Sequence, residues 1–160
     1  MFSPFLSEQV QLAHDGPTWH GAALVENLDG IDAEQAASRP LPEAHSVWEV
    51  VLHMTGWTKE VARRLVGETP GLPAEGDWPA VGRVSEQSWA RAREALGEAH
   101  TSLAAAVAHF PEARWRDRVG GERDAPLGTG VSYAAMLAGL LQHDAYHGGQ
   151  VGLLRKALRR

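Results

Sequence analysis

The residues best placed to do chemistry are histidines. His143 and His147 stand four apart in SYAAMLAGLLQHDAYHGGQVGLLRKAL, and at about 100° per residue such a pair shares one helix face, one turn apart. Met136, Leu140, Val151, Leu154 and Leu158 fall within roughly 80° of His143 on the same wheel, so both imidazoles enter the stripe meant for the core. A buried polar group left without a partner costs on the order of 1–3 kcal/mol. Two adjacent ones need a shared explanation, either a hydrogen-bonded core pair or a metal ion. His53 supplies a third imidazole, mid-helix at the edge of the stripe formed by Val50, Met54, Trp57 and Val61. Three neutral imidazoles from two facing helices can hold a Zn²⁺-like ion at about 2.0–2.1 Å each. His53, His143 and His147 are therefore the candidate metal ligands.

The elements that must position them are helical. Trp89, Ala92, Leu96, Ala99, Leu103, Ala106, Val107 and Phe110 recur at three and four residues, predicting a helix over Ser85–Phe110 that Pro111 stops. The His143/His147 segment predicts another over Ser132–Leu158, with Ser132 as cap and Arg155 and Lys156 at the negative end of the dipole. A third runs over Ser46–Val66, with Gly67 as its C-terminal cap. Upstream, Asp15-Gly16-Pro17 splits a helical pattern into Pro4–His14 and Pro17–Leu28, and a turn near Ala33–Ala37 precedes Pro40 and Pro42. β-alternation is absent. The expected fold is all-α, a four-helix bundle of up-down-down-up course, with a long crossover (ETPGLPAEGDWPAVGR) between the second and third main helices.

Composition supports one domain spanning residues 1–160. The chain is 44% hydrophobic and 22% charged, with a net charge of −5, the range of soluble globular domains. Its 15 basic residues are outnumbered by 20 acidic ones, so no domain-wide positive field exists for nucleic acid. The basic C-terminal end is a weak local exception. Zero cysteines exclude disulfides, thiolate metal sites, iron–sulfur clusters and a cysteine nucleophile. No apolar run approaches the roughly 18–20 residues of a membrane span, and the N-terminus lacks a secretory pattern. A cytoplasmic location is expected.

The run His143-Asp-Ala-Tyr-His147-Gly-Gly-Gln150, followed by VGLLRKAL and preceded far upstream by HSVWEVVLHMTGW with His53, resembles the DinB/YfiT-like superfamily. The similarity extends to Trp19-His20-Gly21 and Ala36-Ala37-Ser38-Arg39-Pro40. This resemblance implies the up-down-down-up bundle, a divalent metal on His53, His143 and His147, and homodimers. It also implies kinship with enzymes that use small thiols such as bacillithiol, mycothiol or glutathione.

Three imidazoles leave a tetrahedral ion at least one open position. They do not offset its charge, so a bound water or thiol is strongly acidified. A small thiol could then be transferred to an electrophile, or water used for hydrolysis, or the protein could bind metal as a noncatalytic stress protein. Donors of this type suit Zn or Ni as well as Co or Fe.

Accessory candidates are fewer. Glu49, one turn before His53, could orient a ligand or accept a proton, or be a solvated acid. Gln150 could hydrogen-bond near the site or serve packing. His20, with Leu24 and Leu28 on its side of the predicted helix, could face the site from behind the ligands. Trp57 and Trp78 could wall a pocket. His14, His45, His100 and His109 are expected at the surface or at helix ends. Asp144 lies about 100° from His143 on the wheel and is not expected to be a ligand. Leu137, Leu141 and Tyr133 form a second apolar face, for a partner subunit or for the core.

Overall fold

Capping residues set where the helices begin. In the computed structural model, which describes residues 2–159, the helices are α1 (Phe2–Asp15), α2 (Leu24–Leu28), α3 (Ala33–Ala37), α4 (Val47–Leu65), α5 (Glu86–His109) and α6 (Tyr133–Ala157). A 3-10 turn occupies Glu112–Arg116, and no strand forms among the described residues. The expected all-α class holds. Ser46, Ser85 and Ser132 each accept an amide hydrogen bond three residues on, from Glu49, Ser88 and Ala135. Each hydroxyl satisfies an amide that the helix cannot. At the other end of α4, Gly67 adopts φ 96°, and the amides of Gly67 and Glu68 bond the carbonyls of Arg64 and Arg63. That is a Schellman closure.

The N-terminal third departs from expectation. α1 starts two residues earlier than predicted because Glu112 Oε1 accepts from the Phe2 and Ser3 amides at 2.8 and 2.9 Å, a cap supplied from 110 residues away. Pro4 sits in the first turn, where its missing N–H would have no partner anyway. The predicted Pro17–Leu28 helix shrinks to Leu24–Leu28. Gly21 turns the chain at φ 128°, and a bridge pairs Thr18 with Gly21. His20 therefore lies on an exposed turn and has no helix to aim it.

Contacts fix how the long helices run past one another. Ser3 meets Phe110, Ser7 meets Ala104 and His14 stacks on His100, so α1 opposes α5 in direction. Trp48 packs on Trp89 at the start of both helices, so α4 and α5 share a direction. His53 faces His143 while Arg64 reaches Met136, so α4 opposes α6.

Two apolar clusters fill the interior. One gathers Val50, Met54, Trp89, Leu96 and Val151; the other gathers Val61, Leu103, Phe110, Leu137 and Leu140. Burying each such side chain contributes about 1.5–3 kcal/mol. Between the clusters lies a polar layer. α5 passes from Leu96 through His100 to Leu103, and α6 from Leu140 through His143, Asp144 and His147 to Val151. Leu137 and Tyr133 are buried in the second cluster, so they are core residues and not a face for a partner.

The connections from α4 to α5 and from α5 to α6 are both pinned to α4 by one buried ion pair. Arg64 Nε donates to Glu60 Oε1 at 2.9 Å, while its other nitrogens donate to the carbonyls of Gly71 and Leu127 at 2.8 Å. Glu60 also accepts from the Gly71 amide. Removing one partner of such a pair strands a charge and costs about 3–5 kcal/mol. Gly130, at φ 73°, lets the second connection double back; a Cβ there would lie 2.6 Å from Arg123 Cα.

Candidate metal centre

The polar layer brings His53, His143 and His147 together. One ring nitrogen from each lies within 4.8 Å of the other two, and His53 Nε2 is 2.8 Å from His143 Nε2. An ion bonded at about 2.0–2.1 Å would hold tetrahedral donors about 3.3 Å apart, so the observed spacing brackets the requirement. His53 and His147 are each 5% exposed, which keeps competing water off the rings.

Hydrogen-bond partners decide which nitrogen of each ring is free. His53 Nδ1–H donates to the Asp77 carbonyl at 2.6 Å, and His147 Nδ1–H donates to Gln150 Oε1 at 2.6 Å. Both acceptors force the proton onto Nδ1 and leave a lone pair on Nε2. His143 is caught between two lone pairs. Its Nε2 faces that of His53, and its buried, partnerless Nδ1 faces Asp144 Oδ1 at 3.6 Å, itself partnerless. A single proton on His143 satisfies one contact and leaves the other as lone pair against lone pair. A cation among the three Nε2 atoms, with Nδ1–H turned to Asp144, resolves both. The donor set thus fits a divalent metal ion.

Neighbouring groups hold this arrangement. Trp57 Nε1–H donates to Asp77 Oδ1 at 2.7 Å, which fixes the Asp77 carbonyl that orients His53. Trp78 stacks on His53 with ring centres 3.9 Å apart, and on His45 at 3.6 Å from the other side. Burial lowers the pKa of His53, and charge on His143 lowers it further, against the pull of the Asp77 carbonyl. Burial likewise takes His147 down to about 4, with the Gln150 bond opposing and charge on His143 and His53 reinforcing. Both shifts favour the neutral ring, the form that can bind a metal ion.

Behind His143 lies a second polar cluster. Asp144 Oδ2 accepts from His100 Nε2–H at 3.1 Å, and His100 Nδ1–H donates to the Leu96 carbonyl at 3.0 Å. Both partners of His100 are acceptors, so the ring carries two protons. Burial alone would lower its pKa, but the Asp144 carboxylate and the Leu96 carbonyl leave it raised. Burial would raise the Asp144 pKa, and His100 and His143 hold it below the ordinary value. His14 stacks on His100 at 4.5 Å.

The remaining candidates fall in different places. Glu49 accepts from the Ser46 amide at 2.7 Å and pairs with Arg39, so it caps α4 and holds the preceding loop. His20 lies with Gln9, Leu141 and Ala145 along a separate depression, away from the triad. His14 and His109 have the expected helix-end positions, in the last turns of α1 and α5, and His45, partly exposed, joins the Trp78 stack; His100 departs from expectation, buried mid-helix with His14 stacked on it. Sequence reading missed Asp77, whose role depends on how the long connection folds back. It also missed His100, which sits four residues after Leu96 and three before Leu103 in an apolar stripe, the same signal that singles out His143.

A family model described as the DinB superfamily matches residues 18–151, spanning His53, His143 and His147. No curated protein and no solved structure matches the chain.

Proposed function

The chain belongs to the DinB superfamily, and from that premise we propose that it is a metal-dependent enzyme transferring a small thiol, of the bacillithiol, mycothiol or glutathione type, to an electrophilic carbon. The observation that carries this reading is the convergence of one ring nitrogen from each of three histidines, with no fourth protein donor in the cluster among the described residues. A bound Zn or Ni ion would supply the Lewis acidity that keeps a thiol ionised near neutral pH. The chain provides the rest. Asp77 and Gln150 hold the protons of His53 and His147 away from the site, the Asp144 carboxylate lies 3.6 Å from Nδ1 of His143, and Trp78 covers one flank. The chain has no cysteine, so the sulfur comes from the co-substrate. The same reading takes the long helices as an up-down-down-up bundle, supported by their contact directions, and includes the cytoplasmic location expected from the sequence and the homodimer that the resemblance implies.

Elemental analysis is expected to find about one divalent ion per chain. Loading with Co²⁺ and adding bacillithiol or glutathione is expected to produce a sulfur-to-cobalt absorption band, with thiol consumed alongside a model electrophile. Metal-dependent cleavage of esters or amides with no response to any thiol would replace this reading with a hydrolase. Absence of bound metal would overturn both.

A further inference from the structure

The triad stands between two cavities of different character. On one side His147 lines a cavity of about 520 Å³ with Leu41, Trp78 and Leu153, and its charged lining residue is Glu43. On the other, His143 lines a cavity of about 400 Å³ between α4, α6 and the 123–131 segment. Both lie within the range of about 300–1,000 Å³ typical of small-molecule sites.

The His143 cavity has an apolar wall of Trp57, Met136 and Leu140, and two arginines. Arg64 is already neutralised by Glu60 and spent on two carbonyls. Arg123 is not. Its Nη1 donates to the carbonyls of Asp124 and Thr129 at 3.0 and 3.2 Å, which anchors the guanidinium across its own loop. Its other donors make no hydrogen bond, and it enters no ion pair, among the described residues. No Asp or Glu lines this cavity. Gly139 leaves room along α6, since nothing lies within 4 Å of where its Cβ would be. The cavity therefore offers an apolar body, one uncompensated and pre-positioned cation, and a metal-ligand histidine in its wall. A planar guanidinium with free donors matches a carboxylate by charge and by fork geometry.

We propose that this cavity is the subsite for a small apolar carboxylate, with its carboxylate on Arg123, its hydrocarbon body against Trp57, Met136 and Leu140, and its reactive end towards His143. The opposite cavity, lined by Glu43 and aromatic rings, is left for the second substrate. This inference names the substrate class for the transfer reaction and takes its catalytic meaning from that reading, but the binding itself does not require the metal.

The test titrates the full-length protein, both metal-loaded and metal-free, with 4-phenylbutyrate and with the neutral 4-phenylbutyramide, by calorimetry. The acid is expected to bind at least tenfold more tightly than the amide in both forms. Arg123→Gln is expected to erase that preference without weakening the amide, Arg123→Lys to restore part of it, and Gly139→Leu to block both compounds. Circular dichroism melts establish that each variant is folded; should Gly139→Leu not fold, the arginine variants decide alone. Equal affinity for acid and amide, or a preference that survives Arg123→Gln, overturns the proposal. So does acid binding seen only in the metal-loaded protein, which would place the carboxylate on the metal. The same preference in a protein that takes up no divalent metal when offered it would keep the subsite and remove the transferase reading.

Discussion

Two clusters of histidines share one layer of this molecule and have opposite hydrogen-bond logic. In the triad, Nε2 lone pairs converge and the rings face one another across ångströms. In the cluster of His100, Asp144 and His14, the ring nitrogens of His100 each have an acceptor and the charge is neutralised within the protein. The triad has a donor set that fits a cation from outside; the second cluster supplies its own. Burial and residue type are nearly the same in both, so neither distinguishes a binding site from a structural one. The direction in which lone pairs point does.

The sharpest way to break that comparison is to remove one ring from each cluster. Structural metal sites are worth about 10–16 kcal/mol over four ligands, so His53→Ala or His147→Ala is expected to cost roughly 3 kcal/mol of metal affinity, more than a hundredfold. Metal content after dialysis should fall from about one ion per chain towards zero. Retention of full metal in either variant would refute the triad as a site.

His100→Leu is expected to act on the fold instead. It leaves the Asp144 carboxylate buried without its counter-ion, a loss of about 3–5 kcal/mol, which corresponds to a fall in Tm of roughly 6–20 °C for a chain of this size. The double variant His100→Leu/Asp144→Asn should recover part of that loss, because the stranded charge is gone. Metal stoichiometry stays at one throughout. A folded His100→Leu protein that binds no metal would mean the two clusters are a single unit.

Gln150 sharpens the comparison from the triad's side. It touches no other ligand and holds only the His147 proton, so Gln150→Ala is expected to weaken metal binding by about 10- to 100-fold, the usual effect of losing an orienting partner. Melting of the metal-free protein should change little. Competition against a chromophoric chelator measures the difference; an affinity equal to wild type would show that packing alone orients His147.

How much of this was legible in the sequence follows from which signals are local. Ser46, Ser85 and Ser132 sit one residue before their helices and mark those starts within a residue. His53, His143 and His147 were found because their helix-wheel positions are fixed by sequence spacing. The second helical segment was overextended because Leu24 and Leu28 align with His20, while the turn at Gly21 depends on a backbone angle that periodicity does not register. Asp77 and Trp78 reach the site through a connection of some twenty residues whose path is set by the distant Glu60–Arg64 clamp. His100 carries the same local signal, but a single histidine in an apolar stripe points to a partner without naming it.

The smallest effect concerns pH, and it separates the clusters by sign. Burial lowers the His14 pKa to about 4, and positive charge on His100 adds to this, against Asp15 and Asp144. In the unfolded chain the same ring titrates near the ordinary value of about 6.5. Between these values the unfolded state binds the extra proton, so the His14 contribution is present above pH 6.5 and is lost as pH falls towards 4. His100 behaves in the opposite way. Its pKa is raised in the folded state, so its contribution is full below the unfolded value and is lost as pH rises through the folded one. Near neutrality the stack holds one neutral ring against one charged ring. His14→Phe keeps a ring on His100 without a titrating group. Allowing for its partial exposure, it is expected to flatten the loss of stability between pH 6.5 and 4 by on the order of 1 kcal/mol, read from urea melts across that range. His53 and His147 contribute slopes of the same sign in the metal-free protein, and the difference between wild type and variant cancels them. Parallel slopes would show that His14 reaches water freely in the folded protein, and the stack on His100 would then be a surface contact outside the buried cluster.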